Sequence, residues 1–267
     1  MRNHLKDLAS NPKFISGIYN YCDRWCERCA FTSRCLVYAT LEADGTNEEL
    51  ADHDLQSAAF WEKLADVFEE TRVMIMEWAD EQGVDLSSVQ INLSLEDREE
   101  RLADAKYNGI VVAARKYAFD TLNFFGQPNT PRAHNYAART VADERELSSA
   151  IDVIQHYQFF ITAKIFRALL ARGIDVESDE FAGNSEDMFD AAVGSDADGS
   201  AKIALIAIDR SQAAWHILRE YLPPEAETIR SFIVELEQLK QAVEETFTNA
   251  RDFIRPGFDL FVSEFNH

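Results

Sequence analysis

The residues best suited to do chemistry in this chain are its four cysteines, and all four fall in one short stretch: Tyr19-Asn-Tyr-Cys22-Asp-Arg-Trp-Cys26-Glu-Arg-Cys29-Ala-Phe-Thr-Ser-Arg-Cys35-Leu-Val-Tyr38. Random placement would scatter them, so the clustering points to something that binds sulfur. The spacing is C-x3-C-x2-C-x5-C. On a continuous helix Cys22, Cys26 and Cys29 stand at i, i+4 and i+7 on one face. Their backbone positions then span about 10 Å of helix rise. That is long for three thiolates meeting at one compact ion. Either the helix breaks near Cys29, or the bound object is larger than a single atom. A cubane iron–sulfur cluster is larger, and it takes four cysteine thiolates.

The part from Cys26 to Ala39 resembles the C-x2-C-x5-C iron–sulfur motif of WhiB-like regulators, in which the third cysteine is often followed by Leu-x-Tyr-Ala, as Cys35 is here. A similar segment closes the cluster of CRISPR-associated and recombination nucleases. The resemblance implies ligand roles for Cys26, Cys29 and Cys35 and, by extension, for Cys22, with a [4Fe-4S] cluster as the expected cofactor. It covers less than a tenth of the chain, and Ala30 stands where those families usually have proline. No whole-chain family is recognised. The DNA binding or nuclease activity of those families is not implied, because neither a basic tail nor a nuclease motif is present. Two alternatives remain open from the residues themselves: a structural zinc on the same four cysteines, or free thiols that switch to a disulfide, for which the Cys22/Cys26 spacing is suited. Tyr19, Tyr21, Trp25, Phe31 and Tyr38 offer an aromatic shell that would exclude water. Arg24, Arg28 and Arg34 offer positive charge.

A second constellation combines carboxylates with histidines. Asp152 and His156 lie at i, i+4 on a helical stretch, aligned with Phe159, Ala163 and Phe166. Asp209 and His216 lie two turns apart on the next stretch. Glu62 and Glu69 add a further pair. Converging in a bundle core, such residues could hold a dimetal site or act as acid and base in an oxidoreductase. The Glu-x-x-His signature of ferritin-like bundles is missing, and buried Asp–His hydrogen bonding is the plainer explanation. Asp196-Ala-Asp198-Gly-Ser begins like a calcium loop but lacks the ligand order and the terminal Glu. His4, His53 and His134 fall in loop-like places. Trp61, Trp78 and Trp215 are expected as core or rim anchors.

The elements that must position these residues read as helices. Residues 13–42 give an interrupted helical pattern, and residues 43–53 read as a loop. Residues 55–82 form an amphipathic helix with Leu55, Ala59, Leu64, Val67, Phe68, Ile75 and Trp78 on its apolar face. A helix from Ser94 to Phe125 is expected to stop at Gly126, and one from Thr140 to end at Gly173. Residues 84–93 alternate like a lone strand, residues 127–139 read as a loop, and residues 174–199 as an acidic linker with a short helix at 186–193. Ala201–Leu222 forms a fourth helix, and Pro223-Pro224 opens a fifth to about Thr248. The fold expected is all-α: a long up-and-down bundle at 55–267 with a Cys-rich helical segment at 1–42.

Composition limits the partners. Asp plus Glu number 47 against 26 Lys plus Arg, a formal charge of −21. Such a surface repels nucleic-acid backbones and anionic membranes. The N-terminus shows no apolar stretch after its basic residues, so a cytoplasmic location is expected. In a reducing compartment clustered cysteines serve metals or redox chemistry more often than structural disulfides. The functions expected are electron transfer or redox sensing through a [4Fe-4S] cluster, an oxidoreductase using the bundle residues, or a zinc-braced interaction protein. The redox partner is not specified by the sequence.

Overall fold

A computed structural model of the chain describes residues 11–43, 58–86, 95–126, 140–178 and 196–259. The described residues are all-α. Seven α-helices run in order: α1 (Leu36–Ala43), α2 (Ala58–Gln82), α3 (Leu95–Tyr107), α4 (Gly109–Gly126), α5 (Val141–Ser178), α6 (Asp196–Tyr221) and α7 (Ala226–Thr246). Three short 3-10 turns, Cys26–Arg28, Thr32–Arg34 and Pro223–Glu225, complete the set. No strand occurs among the described residues. Among them, no helix is long and apolar enough to cross a membrane. The chain divides into two compact units, residues 1–19 with 26–96 and residues 20–25 with 97–267. Cys22 therefore belongs with the long helices, and Cys26, Cys29 and Cys35 with the other unit.

Helix boundaries follow local chemistry. The expected single helix from Ser94 to Phe125 is two helices, broken at Asn108. There the Asn108 side chain accepts the Ile110 amide (3.0 Å) and its carbonyl accepts the Val112 amide (3.0 Å), an N-cap that restarts the helix at Gly109. Hydrophobic spacing continues through this point, so periodicity alone hides the break. Thr140 caps α5 by accepting the Asp143 amide (3.2 Å). That helix runs to Ser178, past the expected stop at Gly173. Likewise α6 begins at Asp196 and not Ala201, because Asp196 and Asp198 supply the negative first turn that a helix dipole favours. The calcium-like Asp196-Ala-Asp198 run is thus the start of a helix. After Gln82, Gly83 takes φ +69°, and the Gly83 and Val84 amides return to the Asp80 and Ala79 carbonyls, a glycine C-cap. The readings at 127–139 and 186–193, with His4, His53 and His134, lie outside the described residues, as do residues 44–53 and 87–93 of the readings at 43–53 and 84–93.

In the first unit, α2 does not bury the face that its periodicity suggests. Phe68, Ile75 and Trp78 are all at least half exposed, while Ala79 is buried. Glu69 is exposed and pairs with Arg72.

In the second unit, α4, α5, α6 and α7 pack in a closed ring, each against the next and α7 against α4. As α6 runs from Asp196 through Arg210 to Tyr221, its partners on α5 fall from Arg167 through Tyr157 to Glu146, so the two are antiparallel. Asp209 with Lys240 and Gln212 with Glu237 give the same sense for α6 and α7. The bundle is up-and-down, and α6 turns back into α7 through the short Pro223–Glu225 turn.

Its seam on α5 is a heptad. Leu147, Ile154, Ile161 and Ala168 form one row and Ala150, Tyr157, Lys164 and Ala171 the other, all buried. Opposite them α6 presents small residues, Ala197, Ala201, Ala204, Ala207 and Ala214, which let the two helices approach closely. Trp215 is fully buried, stacked on Phe232 (centroids 4.6 Å) and Phe125 (5.8 Å). Its indole N–H donates to the Tyr117 hydroxyl at 3.0 Å. Burial pushes that hydroxyl up to about 12, so Tyr117 stays protonated. Replacing Trp215 by Phe removes a buried donor and leaves the Tyr117 oxygen short of a partner. We expect a loss of about 1–3 kcal/mol in chemical denaturation, with the Trp215→Phe/Tyr117→Phe double variant recovering part of it.

Candidate functional site

The cysteine segment is not one continuous helix. Residues 26–28 make a 3-10 turn that the Cys29 amide closes onto the Cys26 carbonyl (3.1 Å). A second turn at 32–34 follows, and α1 starts at Leu36. The rise that would have separated the thiolates along a helix axis is therefore absent between Cys26 and Cys35. The Phe31 amide donates to the Cys29 sulfur at 3.3 Å, the kind of backbone N–H···S contact that steadies an anionic sulfur. Cys35 has extended backbone angles (φ −105°, ψ 117°), and its carbonyl accepts the Ala39 amide at 3.0 Å. It thus sits at the cap of α1, where the helix dipole favours negative charge. The Ile15 amide bonds the Arg34 carbonyl (3.0 Å), closing the loop that begins and ends beside these residues. All four cysteines are half-buried and none is in a disulfide. Among the described residues, no three His, Cys, Asp or Glu side chains already stand together as a metal-binding group.

Residues 20–25, which carry Cys22, are fixed to α5 and α6 within the second unit. Asp23 is the fulcrum. Its carboxylate accepts from the Tyr157 hydroxyl (2.8 Å) and from Arg210 (2.5 Å), and also from the Trp25 amide (3.2 Å). Arg210 donates to the Tyr157 oxygen as well (2.5 Å), so the three groups form a closed triangle. The carbonyl of Asp23 accepts from His156 Nε2 at 3.0 Å. Asp23 and Trp25 bracket Arg24, whose φ of 58° makes the tight turn. Trp25 then lies flat on the His156 ring (4.2 Å, 18°) and edge-on to Tyr157 (5.9 Å). On the other side of Cys22, the Tyr21 hydroxyl donates to Asp196 (3.0 Å), which Arg167 also grips. The Tyr21 ring leans on Phe253 (4.6 Å). Gly199 leaves room for this: a Cβ there would collide with the Tyr21 ring and stand 2.7 Å from Phe253 Cζ.

Electrostatics follow from this geometry. Burial pushes the Asp23 carboxyl up, but hydrogen bonds from Tyr157, the Trp25 amide and Arg210, with the Arg210 charge, outweigh it and hold the group below its ordinary value. Burial, aided by the hydrogen bond and charge of Asp23, pushes Tyr157 up to about 12. Lys164 is buried on the α5 seam and reaches the Asn20 carbonyl at 3.4 Å.

Of the aromatic residues expected to wrap a cofactor, Tyr21 and Trp25 are anchors on the bundle. The carboxylate–histidine set does not assemble. His156 is committed to the Trp25 stack and the Asp23 carbonyl, and Asp209 to Lys240 (2.9 Å) and Arg251 (2.7 Å). Asp152 and His216 are exposed. The aligned Phe159 is also exposed, because the buried face of α5 is the heptad through Ile154 and Tyr157, one position away from the stripe through Asp152 and His156. A groove of about 310 Å³ runs between α4 and α7, lined by Gly109, Ile110, Lys116, Glu235 and Leu239 among others. There Lys116 bridges Asp120 (2.7 Å) and Glu235 (2.5 Å), and those bonds push its ammonium up to about 12. Comparison with protein-family models, with curated proteins and with solved structures finds no match.

Two outcomes test the anchor. A carboxyl held low in the fold stabilises above its unfolded value, and that stability disappears as pH falls through the lower folded value. Acid should therefore release the Asn20–Trp25 segment only below the ordinary carboxylate range. Asp23→Asn should abolish this acid step, cost about 1–3 kcal/mol, and raise amide exchange at residues 20–25 at neutral pH. Gly199→Ala, which in most helices stabilises by roughly 0.5–1 kcal/mol, should here destabilise by about 1–3 kcal/mol, read as a lower melting temperature.

Proposed function

We propose that Cys22, Cys26, Cys29 and Cys35 hold an iron–sulfur cluster, most simply [4Fe-4S], and that the protein works in electron transfer or redox sensing. The observation that carries this reading is the four-cysteine spacing, in which three members match a cluster-binding C-x2-C-x5-C segment. The local geometry supports it in three ways. Turns replace a helix between Cys26 and Cys35, a backbone amide already faces the Cys29 sulfur, and Cys35 caps a helix. A metal site rarely exists in the unfolded chain, so binding of the metal is coupled to the ordering of the segment that holds it. The cluster supplies one-electron chemistry, and the chain supplies thiolates, amide donors and a fixed attachment for Cys22.

The carboxylate–histidine oxidoreductase has weaker support, since His156 and Asp209 are each spent on separate structural contacts. Zinc on the same four sulfurs predicts the same ligands and a different spectrum. The acidic surface favours a protein or small-molecule redox partner over nucleic acid, and a cytoplasmic setting would suit reduced cysteines.

Anaerobic reconstitution with iron and sulfide should give a brown protein absorbing near ~400 nm, with the colour bleached by dithionite. Serine at Cys26, Cys29 or Cys35 should abolish or sharply reduce cluster content. A colourless product holding one tightly bound zinc would replace the redox reading with the structural one.

A further inference from the structure

One lysine ties down the segment that follows α7. The side chain of Lys202, on α6, is only 16% exposed, and its ammonium carries three donors. Three acceptors meet it, and all three lie between residues 251 and 259. Nζ donates to the Arg251 carbonyl (3.2 Å) and to the Phe253 carbonyl, and it pairs with the Asp259 carboxylate at 3.0 Å. Asp259 also accepts from the Arg255 amide (2.9 Å) and guanidinium (2.8 Å), which closes residues 255–259 into a turn with Gly257 at φ +77°. Burial pushes the Asp259 carboxyl up, but the bonds from Arg255 and Lys202 outweigh it and hold the group at about 2. The latch is therefore fully charged near neutral pH.

What the latch holds in place is Phe253. That ring is 3% exposed and packs over Gly199 and against the Tyr21 ring at 4.6 Å. Tyr21 is the immediate neighbour of Cys22, and its hydroxyl reaches Asp196 on the first turn of α6. The Tyr21 ring is thus confined between α6 and Phe253, and a ring so confined moves only if one side gives way. We propose that residues 247–259 form a strap, latched by Lys202, that presses the Tyr21–Cys22 end of the N-terminal segment onto α6, and that unlatching it frees Cys22 to solvent. Asp23 keeps its own partners on α5 and α6 whether the strap is closed or open, so the movement is confined to residues 20–22. The device governs the exposure of one thiol. It needs no metal and stands apart from the reading above.

The test uses the full-length, metal-free protein with Cys26, Cys29 and Cys35 changed to Ser, so that iodoacetamide reports on Cys22 alone. Lys202→Met should raise amide exchange at residues 252–259 and the labelling rate of Cys22, each by about 10-fold. Amides of α6 around Trp215 should stay as protected as before. Phe253→Leu, which keeps the strap apolar but removes the ring, should speed labelling in the same direction. Coupling between two segments is reciprocal, so Tyr21→Leu should raise exchange at the Phe253 amide. Faster exchange in the strap with unchanged labelling of Cys22 would show that the two segments move independently, and would overturn the proposal. An unchanged strap in Lys202→Met would overturn it too, because Lys202 would not be the latch. Loss of protection around Trp215 as well would assign Lys202 to the stability of the whole bundle and leave no separate strap.

Discussion

A carboxylate that has given up water must find hydrogen bonds elsewhere, and Asp23 finds them on two helices at once. Tyr157 on α5 and Arg210 on α6 converge on it, and the Trp25 amide completes its shell. A charged group of this kind specifies position more sharply than apolar contact does, because its partners lose heavily if it moves. The interaction converts a loop of the N-terminal segment into a fixture of the bundle. Cys22 lies between two held neighbours, Tyr21 at Asp196 and Asp23 at Tyr157 and Arg210. The small residues of α6 matter for the same reason: Gly199 is what lets the Tyr21 ring lie against the helix.

The bundle and the cysteine segment are built differently. The α5–α6 seam is buried, lined by small residues on α6 and bonded at intervals along its length, from Arg167 with Asp196 to Glu146 with Tyr221. Cys26, Cys29 and Cys35 lie in or beside short turns, half-buried, and the Phe31 amide donates to the Cys29 sulfur.

Much of the fold could be read from periodicity and punctuation. The long helices, the stop at Gly83 and the Pro223-Pro224 turn all follow from local rules, and local rules operate here. What could not be read depends on distance or on competing local signals. The break at Asn108 hides inside an unbroken apolar rhythm, and only the Asn-Gly pair marks it. On α5 the stripe through Asp152 and His156 carries the functional groups, yet the stricter heptad through Leu147, Ile154 and Ile161 is the one buried. The pairing of Asp23 with Arg210 joins residues 187 positions apart, and no neighbour in the sequence announces it. The cysteines were legible as a group because their chemistry is local; the residues that hold Cys22 in place were not.

The central proposal is that four sulfur atoms from residues 22–35 share one inorganic centre. X-ray absorption at the iron edge of the anaerobically reconstituted, full-length protein addresses it most directly. The account predicts a first shell of sulfur alone together with a short iron–iron scattering path. A first shell dominated by nitrogen or oxygen, or iron present without any iron–iron path, would contradict it.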